Sequence, residues 1–207
     1  LICASNQNNV LTDFIKTGEY NKNRGFFTTA SPSMDILISS NLERLLFELS
    51  GKDSNVTAEW MKQLSETGRY AVSDEVKNKI NDLFWSGYCS DLDTALTISD
   101  TYKKYGYVID PHTAVGKNVY DQYLIETDDT TKTVIASTAS PYKFAKFVND
   151  SIGISVADRD EFQILEDLSK ASGTNIPRSL ATLKDAPVRF KSVSSKQQLK
   201  DYVNSIL

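Results

Sequence analysis

Leu1-Ile2-Cys3-Ala4-Ser5 runs straight into Asn6-Gln7-Asn8-Asn9 and then into Val10, Leu11, Phe14 and Ile15. A short apolar run, a polar junction and one face of a helix ending near Gly18 together spell strand, loop, helix. The same grammar returns twice. Tyr107–Ile109 reads as a short strand feeding Asp110-Pro111, an N-cap with proline in the first turn, before Val115, Val119 and Tyr123. Thr133–Ser137 reads as a β-branched strand feeding Ser140-Pro141, before Phe144, Phe147 and Val148. The fold class is therefore α/β, with parallel strands and flanking helices.

Between these units the chain reads as helical. Ser39, Ser40 or Asn41 caps a helix with an apolar face of Leu42, Leu45, Leu46 and Leu49, and Gly51 stands beyond its last turn. Helices follow at about Val56–Glu66, Asp74–Trp85 and Asp91–Tyr105. With no strand read among them, residues 52–106 are expected to be a helical insertion. The tail carries helices at about Arg159–Ala171 and Lys196–Ile206 and a strand at Val188–Val193. One domain over residues 1–207 is the expectation.

Composition narrows the function classes. The 207 residues carry 23 Lys and Arg against 27 Asp and Glu. Basic residues scattered among acidic ones offer no stripe to displace counterions from phosphates, so a nucleic-acid partner is not expected. No apolar run approaches the roughly 18–20 residues of a membrane span. One His and two distant cysteines, Cys3 and Cys89, supply no metal ligand set and no disulfide framework; a reducing cytoplasm is the expectation. The first residue, Leu1, falls inside the first strand, as in a piece of a longer polypeptide.

In an open parallel sheet, ligands gather where strand ends turn into helix N-termini. Three junctions qualify: Ala4–Asn9, Asp110–Gly116 and Ala136–Pro141. Hydroxyls, amides and the single His cluster there, and a small-molecule site at a sheet edge follows from that placement.

Five stretches, in this order, resemble threonine synthase signatures. They are Ala4-Ser5-Asn6-Gln7-Asn8-Asn9-Val10-Leu11, Ser31-Pro32-Ser33-Met34-Asp35-Ile36, Ser40-Asn41-Leu42-Glu43-Arg44-Leu45, Asp110-Pro111-His112-Thr113-Ala114, and Ser137-Thr138-Ala139-Ser140-Pro141-Tyr142-Lys143-Phe144. The resemblance covers Leu1 to about Val148 and implies a tryptophan-synthase-β-like, fold type II enzyme that uses pyridoxal 5'-phosphate (PLP). It implies conversion of O-phosphohomoserine and water to threonine and phosphate. Another lyase of the same fold, a dehydratase or cysteine synthase, is the alternative, as is a binding homologue without catalysis.

The family's Schiff-base lysine sits in a Ser-Phe-Lys-Asp-like motif and its cofactor phosphate in a glycine-rich turn. Neither is present, since no two of the nine glycines fall within three residues of each other. Both elements, with the rest of the active site, are expected from an N-terminal part of the same polypeptide, and this portion alone is expected to be inactive.

The resemblance implies a hydroxyl against the cofactor's pyridine nitrogen, at Thr138 or at its neighbour Ser137. The plain reading is that Ser137, Thr138 and Ser140 cap the next helix. His112, at the second helical position, suits a neutral hydrogen-bonding role better than a cationic one. Asn6, Asn8, Asn41 and Arg44 lie at helix starts where a substrate phosphate or carboxylate could be met, Arg44 in bidentate fashion. The plain reading of these is capping and surface pairing.

Overall fold

The computed structural model describes all 207 residues and divides them into two compact units, Leu1–Asn175 and Ile176–Leu207. The expected single domain over 1–207 therefore gives way to a main unit and a small C-terminal one. The main unit is α/β with helices in excess. Its elements are β1 (Ile2–Ser5), α1 (Val10–Thr17), β2 (Glu19–Asn21), α2 (Leu42–Leu49), α3 (Ser54–Thr67), β3 (Arg69–Ala71), α4 (Asp74–Leu83) and β4 (Trp85–Tyr88). They continue with α5 (Asp91–Tyr105), α6 (Pro111–Thr127), α7 (Ala145–Ser151) and α8 (Glu161–Ser172). The small unit holds α9 (Arg178–Ala181) and α10 (Leu199–Ile206). No helix is long and apolar enough to cross a membrane.

β1 and β4 pair in parallel, from Ile2 opposite Trp85 to Ser5 opposite Tyr88. Helix α1 is fastened to this pair by hydroxyls. Thr12 donates to the Gly87 carbonyl at 2.9 Å, and Ser86 donates to the Thr12 carbonyl at 3.2 Å. The expected helical insertion over 52–106 is thus corrected: it contains β3 and β4, and β4 is the parallel partner of β1. Trp85-Ser86-Gly87-Tyr88 is short and carries Ser-Gly at its centre, so its strand character comes from its neighbour rather than its own propensity.

β2 and β3 form a small antiparallel pair with Tyr20 opposite Tyr70. Each follows a helix that ends on a glycine at positive φ, Gly18 at 79° and Gly68 at 78°. At Gly68 a side chain is doubly excluded, because a Cβ there would lie 2.1 Å from the Asn23 amide oxygen. The two tyrosine rings stack with centroids 5.3 Å apart, and Phe14 and Trp60 pack against them at 5.8 and 6.3 Å from Tyr70. With Val10, Ile15, Leu46, Val76 and Ile80 they make the principal core. Burial raises the tyrosine hydroxyl pKa values, and at Tyr70 the neighbouring Tyr20 adds to the effect.

The Tyr20 hydroxyl donates to the Leu37 carbonyl at 3.0 Å and accepts from the Ser39 N–H at 2.8 Å. Removing it orphans one donor and one acceptor while leaving the ring stack. Tyr20→Phe is accordingly expected to lower unfolding stability by about 1–2 kcal/mol, read from the urea midpoint at unchanged slope. An unmoved midpoint would contradict this anchoring of the 37–39 loop.

A second buried group joins α5 to α8: Ile98, Ala114, Val115, Val119, Ala145, Val148, Ile164 and Leu168 are all nearly inaccessible. Three expected strands do not form. Tyr107–Ile109, Thr133–Ser137 and Val188–Val193 have no strand beside them, and a strand is a property of a pair. Val134, in the second of these, is 94% exposed. Pro141 opens a turn of 3-10 helix over Pro141–Phe144 before α7, rather than the helix itself.

Candidate functional site

A cleft of about 1010 Å³ opens beside β1. Ile2 and Ala4 of β1 and Phe84 and Trp85 form part of its wall, with His112, Gly116 and Tyr120 of α6 and the extended segment 131–136 elsewhere around it. Ser33, Met34 and Thr138 also line it. Four of the five motif stretches thus reach one opening, although 140 residues of chain separate their ends.

The N-terminus of α6 organises this opening. Asp110 is 1% exposed and caps the helix, accepting from the N–H groups of His112 at 2.9 Å and Thr113 at 3.3 Å. It also accepts from Nδ1 of His112 at 3.1 Å and from the Thr113 hydroxyl. On its other side the imidazole accepts, at Nε2, the N–H of Ser33 at 3.2 Å. Those two partners define a neutral ring with its proton on Nδ1. His112 also packs on Phe144, centroids 4.8 Å apart. Both nitrogens are occupied, so the ring works as a latch between the 31–34 turn and α6.

Thr138 is exposed, lines the cleft and makes no hydrogen bond within the chain. Ser137 is exposed too, but its hydroxyl lies 2.9 Å from that of Thr113. Ser140 caps the following 3-10 turn through the Tyr142 N–H. At the far rim, Asp129 is held down to about pKa 2 by hydrogen bonds from Thr131 and then from the Tyr123 hydroxyl. Cys89 lies away from the cleft, its thiol pushed up to about 11 by burial.

The asparagines are placed differently from what their helix-start positions suggest. Asn6 and Asn8 are 1% and 3% exposed and spend their amides inside the protein. Asn6 donates to the Thr29 hydroxyl and the Asp35 carboxylate, both at 2.8 Å, and Asn8 donates to the Phe27 carbonyl at 2.8 Å and to Asp35 at 3.0 Å. Asp35, Thr29 and Ser31 thus stitch the second motif stretch onto the first. Asn41 and Arg44 are exposed, joined to each other at 3.0 Å, and are not among the residues lining the cleft. Asp110, Thr113, Ser33 and Asp35 carry the geometry that residue-by-residue reading overlooked. The signal was available in Asp110-Pro111-His112-Thr113, where side chains two and three residues past an N-cap aspartate lie within its reach.

Residues 113–203 match the family model described as threonine synthase, C-terminal. Over 154 residues the chain is 42% identical to human Threonine synthase-like 1, covering 74% of this chain and 20% of that protein. It is 31% identical over 214 residues to threonine synthase of Saccharomyces cerevisiae, covering 96% of this chain and 41% of that one. Among solved structures, the PLP-bound threonine synthase from Brucella melitensis aligns with a TM-score of 0.80 at 31% identity, covering 99% of this chain and 40% of that one. The yeast threonine synthase structure aligns with a TM-score of 0.81 at 28% identity, over 99% and 41%. The chain spans about a fifth to two-fifths of the length of these relatives.

Proposed function

We propose that the chain is a C-terminal portion of a threonine synthase family member and that its cleft is one wall of a PLP site. The enzyme it completes converts O-phosphohomoserine and water to threonine and phosphate. The observation that carries this reading is Thr138: a hydroxyl with no internal partner, lining a cleft that β1 also lines. When bound, PLP supplies the electron sink that lets an amino acid's carbon acids ionise.

The residues present suit that group. A hydroxyl can donate to an unprotonated pyridine nitrogen, whereas a carboxylate would hold it protonated. Thr138 takes that role, Ser137 stands beside it, and His112 keeps the 31–34 turn against α6 so that the wall holds its shape. The cleft between β1 and segment 131–136 is where the rest of the polypeptide packs, excluding water from the reaction.

The covalent lysine comes from that remainder. Lys132 is the lysine lining this cleft, and it stands between Thr131 and Thr133 rather than in a Phe-Lys-Asp setting. Titrating PLP into the 207-residue chain is therefore expected to leave the free-cofactor spectrum unchanged, and O-phosphohomoserine to release no phosphate. Turnover by this chain alone would contradict the proposal.

A related lyase is disfavoured by the Asp-Pro-His-Thr-Ala and Ser-Pro-Ser-Met-Asp-Ile stretches, both built into the cleft. The relative named Threonine synthase-like 1 keeps open a binding homologue without catalysis. Phosphate release by the longer protein separates the two.

A further inference from the structure

We propose that Asp110 is a positioning residue that sets the direction of the hydroxyl protons on the α6 wall, turning Ser137 into an acceptor and leaving Thr138 as the donor toward the cleft. The proposal rests on the cofactor reading above for its consequence, but its first half stands on geometry alone.

The buried carboxylate of Asp110 is an acceptor only, and the Thr113 hydroxyl has a single proton. That proton goes to Asp110. The contact of 2.9 Å between the Thr113 and Ser137 hydroxyls must then be donated by Ser137. With its own proton directed inward, Ser137 offers the cleft lone pairs only. The adjacent Thr138 has no partner in the chain and keeps its proton free. Two neighbouring hydroxyls, alike in sequence, become chemically opposite because one of them is wired to a buried carboxylate. The other oxygen of that carboxylate fixes His112 with its proton on Nδ1.

Asparagine at 110 tests this, because it keeps the helix cap but changes the wiring. Its oxygen still serves the backbone N–H groups and His112, while its NH2 faces Thr113 and donates to it. Thr113 must then turn its proton to Ser137, and the Ser137 proton is released to the cleft. Asp110→Asn reverses the chain of hydroxyls.

Two measurements follow. In the chain itself, without cofactor, NMR of threonine-labelled protein is expected to show a low-field, slowly exchanging Thr113 hydroxyl proton that moves upfield in Asp110→Asn. A hydroxyl signal identical in both proteins would overturn the proton direction. In the longer protein, Thr138→Val is expected to weaken PLP binding about tenfold, the effect of one hydrogen bond. Adding Asp110→Asn should recover about threefold or more, because Ser137 can now donate, and adding Ser137→Ala should abolish that recovery.

Thr113→Val, which deprives Ser137 of its acceptor, should rescue Thr138→Val in the same way and serves if Asp110→Asn folds poorly. No rescue by either substitution, or a rescue that survives Ser137→Ala, would overturn the proposal. Should Thr138→Val leave PLP binding untouched, the cofactor reading of Thr138 falls, and the Thr113 hydroxyl signal alone decides the wiring.

Discussion

Asp35→Ala is expected to lower unfolding stability by about 2–4 kcal/mol, with little change in the denaturant slope. One carboxylate collects four donors. Its Oδ1 takes the Asn6 amide at 2.8 Å, the Asn8 amide at 3.0 Å and the Thr29 hydroxyl at 2.7 Å, and its Oδ2 takes the Thr29 N–H at 2.9 Å. Asn6, Asn8 and Thr29 are all at most 9% exposed. Truncating Asp35 leaves the Thr29 N–H facing a hole and takes one acceptor from the Asn6 and Asn8 amides, which keep Thr29, Ser31 and the Phe27 carbonyl; an orphaned buried donor costs more than the bond it made. Asp35→Asn keeps one acceptor but points an N–H at the Thr29 N–H, so it should fall between wild type and alanine. A loss under about 0.5 kcal/mol for Asp35→Ala would mean the knot is surface decoration.

That result bears on function, because the knot holds Ser31–Asp35 against the end of β1, and Ser33 is the residue that reaches His112. Asn6 and Asn8 thus act through the scaffold: they fix the loop that latches the wall.

Local signals were legible in the sequence. The bounds of α5, the Asp110-Pro111 start of α6 and the glycine stops at Gly18 and Gly106 all depend on side chains within one turn, and each is where the residues put it. Pairing was not legible. β4 is a strand because β1 lies beside it, and Thr133–Ser137, richer in β-branched residues, is not a strand because nothing does. The antiparallel pair of β2 and β3 had a signal that passed unread: Thr17-Gly18-Glu19-Tyr20 and Thr67-Gly68-Arg69-Tyr70 repeat one helix-stop-and-strand pattern, and their tyrosines stack.

The cleft's lining was legible to the same depth. The motif stretches named Thr138, Ser137 and His112, and the cleft brings Thr138 and His112 to one opening. Which of the two adjacent hydroxyls is free was not readable, because it depends on Thr113, 24 residues upstream of Ser137. Helix starts at Asn6 and Asn41 looked alike in sequence and proved to be a buried knot and an exposed pair.

The account turns on Thr138 facing the ring nitrogen of PLP. Because the residue is exposed and unbonded within the chain, Thr138→Val should leave folding within about 0.5 kcal/mol of wild type. In the longer protein it removes the donor proposed to meet the ring, and turnover should fall about tenfold or more. Thr138→Asp places a carboxylate against the same nitrogen, favours its protonated form and should shift the absorption spectrum of bound PLP. The most direct measurement is that spectrum, recorded with turnover for wild type, Thr138→Val and Thr138→Asp in the longer protein at equal cofactor loading. The account predicts reduced turnover for Val and a displaced absorption band for Asp. Wild-type turnover in Val together with an unshifted band in Asp would contradict it.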